Sequence, residues 1–510
     1  GIRDDLVTGV QTCALPISEL NEFSAISPAG AHQEVFQRPT AACAEQVLKE
    51  LRVDSATGPD GIAARVLREC SHVLAKPVAL LAGRIADTGE WPDLRRSHYL
   101  PGRGARDATA YLVMTWIRGF DALRKFGLYC SDVSGAFDKV SRQRLMSKLR
   151  AKGLHDTALN ILCSWLRPRT AHVVVEGAQS DAMSLEDMVF QGTVWGPPLW
   201  NVFFEDARTP INACGFNEIV FADDLNAHCE FPLAVPNTDV LGHIASCQQR
   251  LHTWGRANGV QFDPGKESCH VASRSDPHGP DFRILGIMFD TKLCMHAAVH
   301  EVSSESAWKL TALLRSRRYH DVPRLMLLYK AQLLSFIEYR TPAIYHVSCS
   351  ALAPVDGVQR RFLRENCVSD EDALVVFHLA PLSVRRDIAM LGVIHRTVLG
   401  GGPSQFRELF KLAPLSGLPA RTRSQCSRHR FQLEDPRDKH HSHMLARSAL
   451  GLIWVYNHLP PKAVEQPSVS GFQAELQRLV KDRAAARCTD WALSLSPRAP
   501  LSSHPLLRYR

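Results

Sequence analysis

The chain has 510 residues, of which 45% are hydrophobic and 22% charged, ordinary values for a globular protein that exclude collagen-like, mucin-like and fully disordered readings. At roughly 150 residues per domain the length predicts about three domains. Lys and Arg number 60 against 52 Asp and Glu, a net charge of +8 that permits a nucleic-acid partner without demanding one.

The 14 cysteines stand singly, with no Cys-x-x-Cys pair, which predicts reduced intracellular thiols over a disulfide framework. Residues 1–18 are set aside from fold reasoning, because Val7–Ile17 resembles the translation of a sequencing-library adapter. No basic stretch followed by an apolar core opens the chain, so no signal peptide is expected. The most apolar stretch, 188–204, is interrupted by Gln191, Gly192, Gly196, Pro197, Pro198 and Asn201, too often for a membrane span.

In chain order, residues 19–55 read as a linker followed by a helix from about Ala41 to Leu51. Thr57–Gly61 is a strong turn, and 62–83 is an amphipathic helix expected to break at Pro77. A long helix is predicted over 103–127, with Ala108, Leu112, Trp116 and Phe120 on one face. Residues 126–132 form a strand ending in Asp132, and 142–152 a helix closed by Gly153. A β-rich run spans 171–175, a second acid-tipped strand spans 218–224, and alternation continues through 282–289. Beyond about residue 300 helices take over, at 304–318, 324–344, 354–366 and 384–399. Gly400–Pro403 marks a flexible break, 421–443 is basic and His-rich, and helices return from about Met444. The order predicts an α+β core followed by a helical module.

Two acidic motifs carry the chemistry. Asp132 opens DVSGAFD (132–138) at a strand end, and Asp223 and Asp224 sit in the apolar setting of FADDL (221–225). Adjacent acids in such a setting are costly to bury unless a metal neutralises them. Oxygen-only ligands suit Mg²⁺, and two ions about 3.5–4 Å apart can activate a 3′-hydroxyl and stabilise leaving pyrophosphate. The bland alternative is a pair of turns carrying solvated acids. Between the motifs, Gly192 allows close backbone approach and Gln191 offers both a donor and an acceptor. Lys266, on the turn FDPGKES, could protonate pyrophosphate.

Taken in order, these pieces resemble the reverse transcriptases of LINE-type (non-LTR) retrotransposons, from about Ala56 to the C-terminal region. Gly58–Gly61 matches the family's entry motif in the fingers. Asp132 matches the first catalytic aspartate, Val133 lies beside it at the nucleotide site, and Phe137 matches the aromatic that excludes a ribose 2′-hydroxyl. Gln191 and Gly192 match the pair lining the nucleotide and template site. Phe221–Asp224 stands where the family has aromatic-Ala-Asp-Asp, Lys266 matches the basic residue of the next motif, and Leu285–Gly286 matches the primer grip. Tyr456–Pro460 and Ser468–Phe472 resemble the family's closing segment.

The resemblance implies a right-hand polymerase: truncated fingers (56–100), a palm with the catalytic carboxylates (101–295), a helical thumb (296–400) and a basic, helical C-terminal region (401–510). It implies two Mg²⁺ ions, with Mn²⁺ as a substitute, held by Asp132, Asp223 and Asp224. An RNA template, a DNA primer and deoxynucleoside triphosphates are the implied partners, with no membrane and no obligate protein partner. It also implies nuclear work, although no convincing targeting signal is present.

One departure bears on activity. After Trp91–Pro92 the family has tens of Lys- and Arg-rich residues that hold the triphosphate; here only 93–99 precede the next matching segment. The rival reading is therefore a nucleic-acid-binding remnant of the same fold. A two-metal phosphodiesterase on another fold would explain the acids but not the Gln-Gly and Leu-Gly elements. No endonuclease segment precedes the fingers, so target cleavage is not expected of this chain. Arg315, Arg317 and Arg318, with Lys309 and Lys330, could follow a nucleic-acid backbone. Cys426 and His429 have zinc-like spacing but lack a second Cys, so 421–443 is expected to be a loose basic loop.

Overall fold

The computed structural model describes residues 39–51, 64–88, 104–175, 178–185, 187–190, 193, 195–221, 224–413, 429–437 and 441–508. The adapter-like segment, the 57–61 turn, the 93–99 junction, Gln191, Gly192, Asp223 and Cys426 lie outside these residues.

Three helices come first: α1 (Ala41–Lys49), α2 (Ala64–Glu69) and α3 (Ser71–Thr88). The expected break at Pro77 is not there. Pro77 lies inside α3, and the interruption falls at Cys70 instead. α3 packs along α1, and this tertiary contact outweighs the helix hydrogen bond that proline forgoes.

Helix α4 (Ala105–Asp121) starts on a cap in which the Asp107 carboxylate accepts from the Gly104 N–H at 3.3 Å. Ala108, Leu112 and Trp116 are buried on its predicted face. The chain then enters β1 (Arg124–Asp132), which is buried along its whole middle. Phe126, Leu128 and Cys130 join the apolar cluster shared with α4, whereas Tyr129 joins a second cluster on the opposite face. A strand covered on both faces reads as a near-continuous apolar run, which is why the sequence announces it.

Next come α5 (Arg142–Ala151), closed by Gly153 at φ 82°, and α6 (Asp156–Trp165). The β-rich run is split. β2 (Arg169–Ala171) pairs with β5 (Met183–Leu185), and β3 (Val174–Val175) pairs with β4 (Ala178–Gln179). After α7 (Gly196–Phe204) and α8 (Arg208–Asn212), β6 (Asn217–Phe221) turns into β7 (Asp224–Pro232). Helix α9 (Asn237–Asn258) ends at Gly259 with φ 75°, and β8 (Ser268–Ala272) completes an antiparallel sheet of order β6-β7-β1-β8.

α9 closes tightly on the middle of β1. A Cβ at Gly127 would lie 2.9 Å from Val240 Cγ1 and 3.3 Å from Ile244 Cδ1 of that helix, and 3.1 Å from the Phe231 ring of β7. On the other face, Trp116 meets Phe126, Phe282 and Phe289 at centroid distances of 6.0–6.5 Å. This ties α4 to the hairpin of β9 (Phe282–Ile284) and β10 (Ile287–Phe289).

From α10 (His296–Arg315) onwards the described chain is helical, including Cys349–Glu365, Leu382–Val398 and Val469–Ala485. Gly400–Pro403 is a bonded turn and not a loose break: the Gly401 N–H donates to the Arg396 carbonyl at 2.9 Å, and Phe406 beyond it is fully buried. The basic loop is likewise pinned at its end. His429 is buried, lies 2.8 Å from the Tyr456 carbonyl through Nε2, and accepts from the Phe431 N–H through Nδ1. Both ring nitrogens are therefore engaged, which removes His429 from the zinc spacing. No helix among the described residues is long and apolar enough to cross a membrane.

Burial pushes His228, His270 and His346 each from the ordinary 6.5 down to about 4. Unfolded imidazoles take up protons near pH 6.5, whereas the folded ones stay neutral to about pH 4, so stability is lost as pH falls through that window. Among the described residues, neither ring nitrogen of His228 has a hydrogen-bond partner. His228→Leu should therefore keep neutral-pH stability within about 1 kcal/mol and flatten the acid loss. Thermal unfolding between pH 7 and 4 checks this; an unchanged acid slope in the variant would refute it.

Candidate active site

The sheet register builds the site. β1 and β7 pair antiparallel so that Asp132 stands directly across from Asp224. Phe221 of β6 also pairs with Asp224, so the β6–β7 hairpin fixes this acid at the same sheet end as Asp132. Directly opposed strand residues have Cβ atoms about 4.5–5.5 Å apart, and two carboxylates there need a positive partner.

Lys266 supplies one. β1 continues past Asp132 into a bridge between Val133 and Phe262, flanked by the Ser134 N–H donating to the Gln261 carbonyl at 2.9 Å and the Asp263 N–H donating to the Asp132 carbonyl at 3.0 Å. Asp263 then shapes the turn. Its Oδ1 accepts from the Gly265 N–H and its carbonyl from the Lys266 N–H, each at 3.0 Å. The turn aims the Lys266 ammonium at Asp132 Oδ2, where the two form an ion pair. The lysine side chain is 61% exposed and the aspartate 13%, so the carboxylate is sheltered while the ammonium meets water.

Asp132 and Asp224 offer carboxylate oxygens alone, the donor chemistry that suits Mg²⁺ and disfavours zinc. Among the described residues no group of three or more His, Cys, Asp or Glu could hold a metal; the third expected ligand, Asp223, lies outside them. The Lys266 ammonium stands against the Asp132 carboxylate that a divalent ion would neutralise.

The other expected residues divide into two groups. Phe137 is close to the acids in sequence and half-buried, its ring 5.9 Å from that of Trp200. Its carbonyl accepts from the Val189 N–H at 2.8 Å, which brings the segment 187–190 alongside it. Gly196 lies at this junction, where a Cβ would come 3.2 Å from the Phe190 carbonyl and 3.5 Å from the Phe137 ring. Val133, by contrast, is 4% exposed as a whole residue and packs into the α9-side core, with its backbone bridged to Phe262.

Leu285 and Gly286 join β9 to β10 with φ of 52° and 75°, the left-handed pair a two-residue hairpin demands. The Leu285 side chain is buried, while its carbonyl accepts from the Tyr339 hydroxyl at 3.0 Å. Burial raises the Tyr339 hydroxyl above its ordinary value, and the Asp224 charge adds to the rise. The hairpin tip is thus tied to a group that feels the Asp224 carboxylate.

Sequence reasoning missed Tyr129, Gln248, His252 and Glu267. The Tyr129 hydroxyl donates to Glu267 Oε1, His252 Nε2 lies 2.6 Å from the same oxygen, and Gln248 Nε2 donates to Glu267 Oε2 at 3.2 Å. These partners come from β1, α9 and the start of β8, so no local spacing signals them.

Residues 120–289, the stretch running from the end of α4 to β10, match the family model described as reverse transcriptase (RNA-dependent DNA polymerase). This stretch is similar to a reverse transcriptase domain. Over 178 residues the chain is 25% identical to the retrovirus-related Pol polyprotein from type-1 retrotransposable element R2 of Popillia japonica, covering 32% of this chain and 28% of that protein. It is 30% identical over 178 residues to the RNA-directed DNA polymerase from mobile element jockey of Drosophila melanogaster, covering 32% of this chain and 19% of the relative. The jockey polymerase of Drosophila funebris is 21% identical over 252 residues, covering 46% of this chain and 27% of its own length. The chain thus spans less than a third of the curated relatives it matches, and the LINE-type kinship expected from its motifs is shown by them. The domain includes the paired strand ends, Lys266 and the Leu285–Gly286 turn.

Two opposed carboxylates of the reverse transcriptase domain should bind Mg²⁺ in the absence of nucleic acid. At an ion concentration five times Kd the gain is about 1 kcal/mol, read as a rise in Tm. Asp132→Asn with Asp224→Asn should abolish the rise. An equal rise in that double variant would place the ion elsewhere.

Proposed function

We propose that this chain is an RNA-directed DNA polymerase of the non-LTR retrotransposon type, adding deoxynucleotides to a primer 3′-hydroxyl along an RNA template. The observation that carries the reading is the register placing Asp132 across from Asp224, inside the segment that matches the reverse transcriptase family. In this reading 101–295 serve as palm, 56–100 as fingers and 296–400 as thumb, with 401–510 as a basic, helical C-terminal region.

Asp132 and Asp224, with Asp223, would hold Mg²⁺, which when bound would supply charge neutralisation to the triphosphate and the attacking hydroxyl. Lys266 delivers a proton to the departing pyrophosphate, a role its exposed side chain allows. Phe137 presents the ring edge that excludes a 2′-hydroxyl. Gln191, Gly192 and the backbone at Val133 line the nucleotide site, and the Leu285–Gly286 turn contacts the primer.

The test is primer extension by the full chain on poly(rA) with an oligo(dT) primer, Mg²⁺ and dTTP. Asp132→Asn and Asp224→Asn should each lower the rate by about two to three orders of magnitude with template–primer binding kept. Binding without extension by the wild-type chain would instead identify a remnant disabled by its short fingers segment.

A further inference from the structure

Glu267 follows Lys266 directly, and its carboxylate is 11% exposed. A carboxylate that far from water is costly unless its oxygens are hydrogen-bonded. Three side chains do this: Tyr129 and His252 at Oε1 and Gln248 at Oε2. Tyr129 is fully buried in the strand that ends in Asp132, and pairs in register with Cys269, two residues beyond Glu267. His252 lies flat on Phe262, with ring centroids 5.4 Å apart and planes 7° from parallel. Phe262 in turn bridges Val133, next to Asp132.

We propose that Glu267 is a positioning residue for the reaction: clamped by Tyr129, Gln248 and His252, it fixes the backbone from which Lys266 reaches Asp132. The inference rests on the proton-donor role proposed above for Lys266. A lysine stem samples many rotamers, and here its backbone is held on both sides, by the Asp263 turn before it and the Glu267 clamp after it. The clamp connects β1, which ends in Asp132, with α9 and the turn carrying Lys266. A shift of the turn therefore changes the distance between the proton donor and the metal-side carboxylate.

The test uses the full chain in five forms: wild type, Lys266→Ala, Glu267→Leu, the double variant and Glu267→Gln. Single-turnover extension should slow about tenfold in Glu267→Leu, since small misplacements of reacting groups have large kinetic cost. The half-saturating dTTP concentration should move less than about twofold. In Glu267→Gln the amide oxygen can accept from Tyr129 and His252 while the amide NH2 donates to Gln248 once that side chain turns over, so the rate should recover to within about threefold of wild type. The double variant should be no slower than Lys266→Ala; additive losses would overturn the proposal, because Glu267 would then act independently of Lys266.

A second readout needs no turnover. Acetylation of Lys266 by an amine-reactive ester, followed by mass spectrometry with exposed Lys411 as internal reference, should accelerate about threefold in Glu267→Leu as the Asp132 pairing loosens. Unchanged labelling overturns the proposal. If the wild type fails to extend a primer, the polymerase reading falls while the labelling still judges the clamp. Should Glu267→Leu fail to fold, Tyr129→Phe removes a single donor and must shift the labelling in the same direction.

Discussion

The pairing register between β1 and β7 is the constraint on which the rest of the molecule depends. Side chains alternate across a strand, so a slip of one residue would send Phe126, Leu128 and Cys130 to the α9 face and separate the two aspartates. The register is therefore fixed by cores on both sides of the sheet at once. The α4 side packs Trp116 against Phe126, and the α9 side packs Val240 and Ile244 over the bare Gly127 backbone. Neither core mentions the acids, yet their joint demand sets one aspartate opposite the other.

β1 also carries charge at both ends and none between. Near its start, Lys125 is buried with its ammonium 2.7 Å from Asn237 Oδ1 and 3.5 Å from Asp276. At its end, Asp132 meets the exposed Lys266. Burying the first ammonium demands permanent partners, because stripping one away would leave an uncompensated charge. The lysine of the second pair lies largely in water, where an ion pair is worth little, so this pair is broken at small cost. The strand is thus anchored at one end and loosely paired at the other.

How much of this was legible in the sequence follows from what each segment packs against. β1 was visible because it is apolar on both faces, and Asp132, Lys266 and the Leu285–Gly286 turn stood out because acids at strand ends and Gly turns are local signals. β7 was not, since Asn226 and His228 occupy buried positions in it and spoil any two-residue alternation. Helix α9 was obscured by Gly242 and Gly255 inside it. Pro77 misled because a proline reports local preference, whereas α3 obeys the helix beside it. The Glu267 clamp joins positions 15, 19 and 138 residues away, a relation that only the folded chain contains.

Gly127 has a consequence for how this sequence can drift. With Val240 2.9 Å from where a Cβ would sit, almost any replacement at 127 must wait until position 240 has become smaller. A smaller residue at 240 alone only opens a void, which is damaging but survivable. Change at the two positions therefore has a permitted order, the helix first and the strand second. Taken in reverse, the steps first crowd Val240 against the middle of the strand whose register sets the two aspartates face to face.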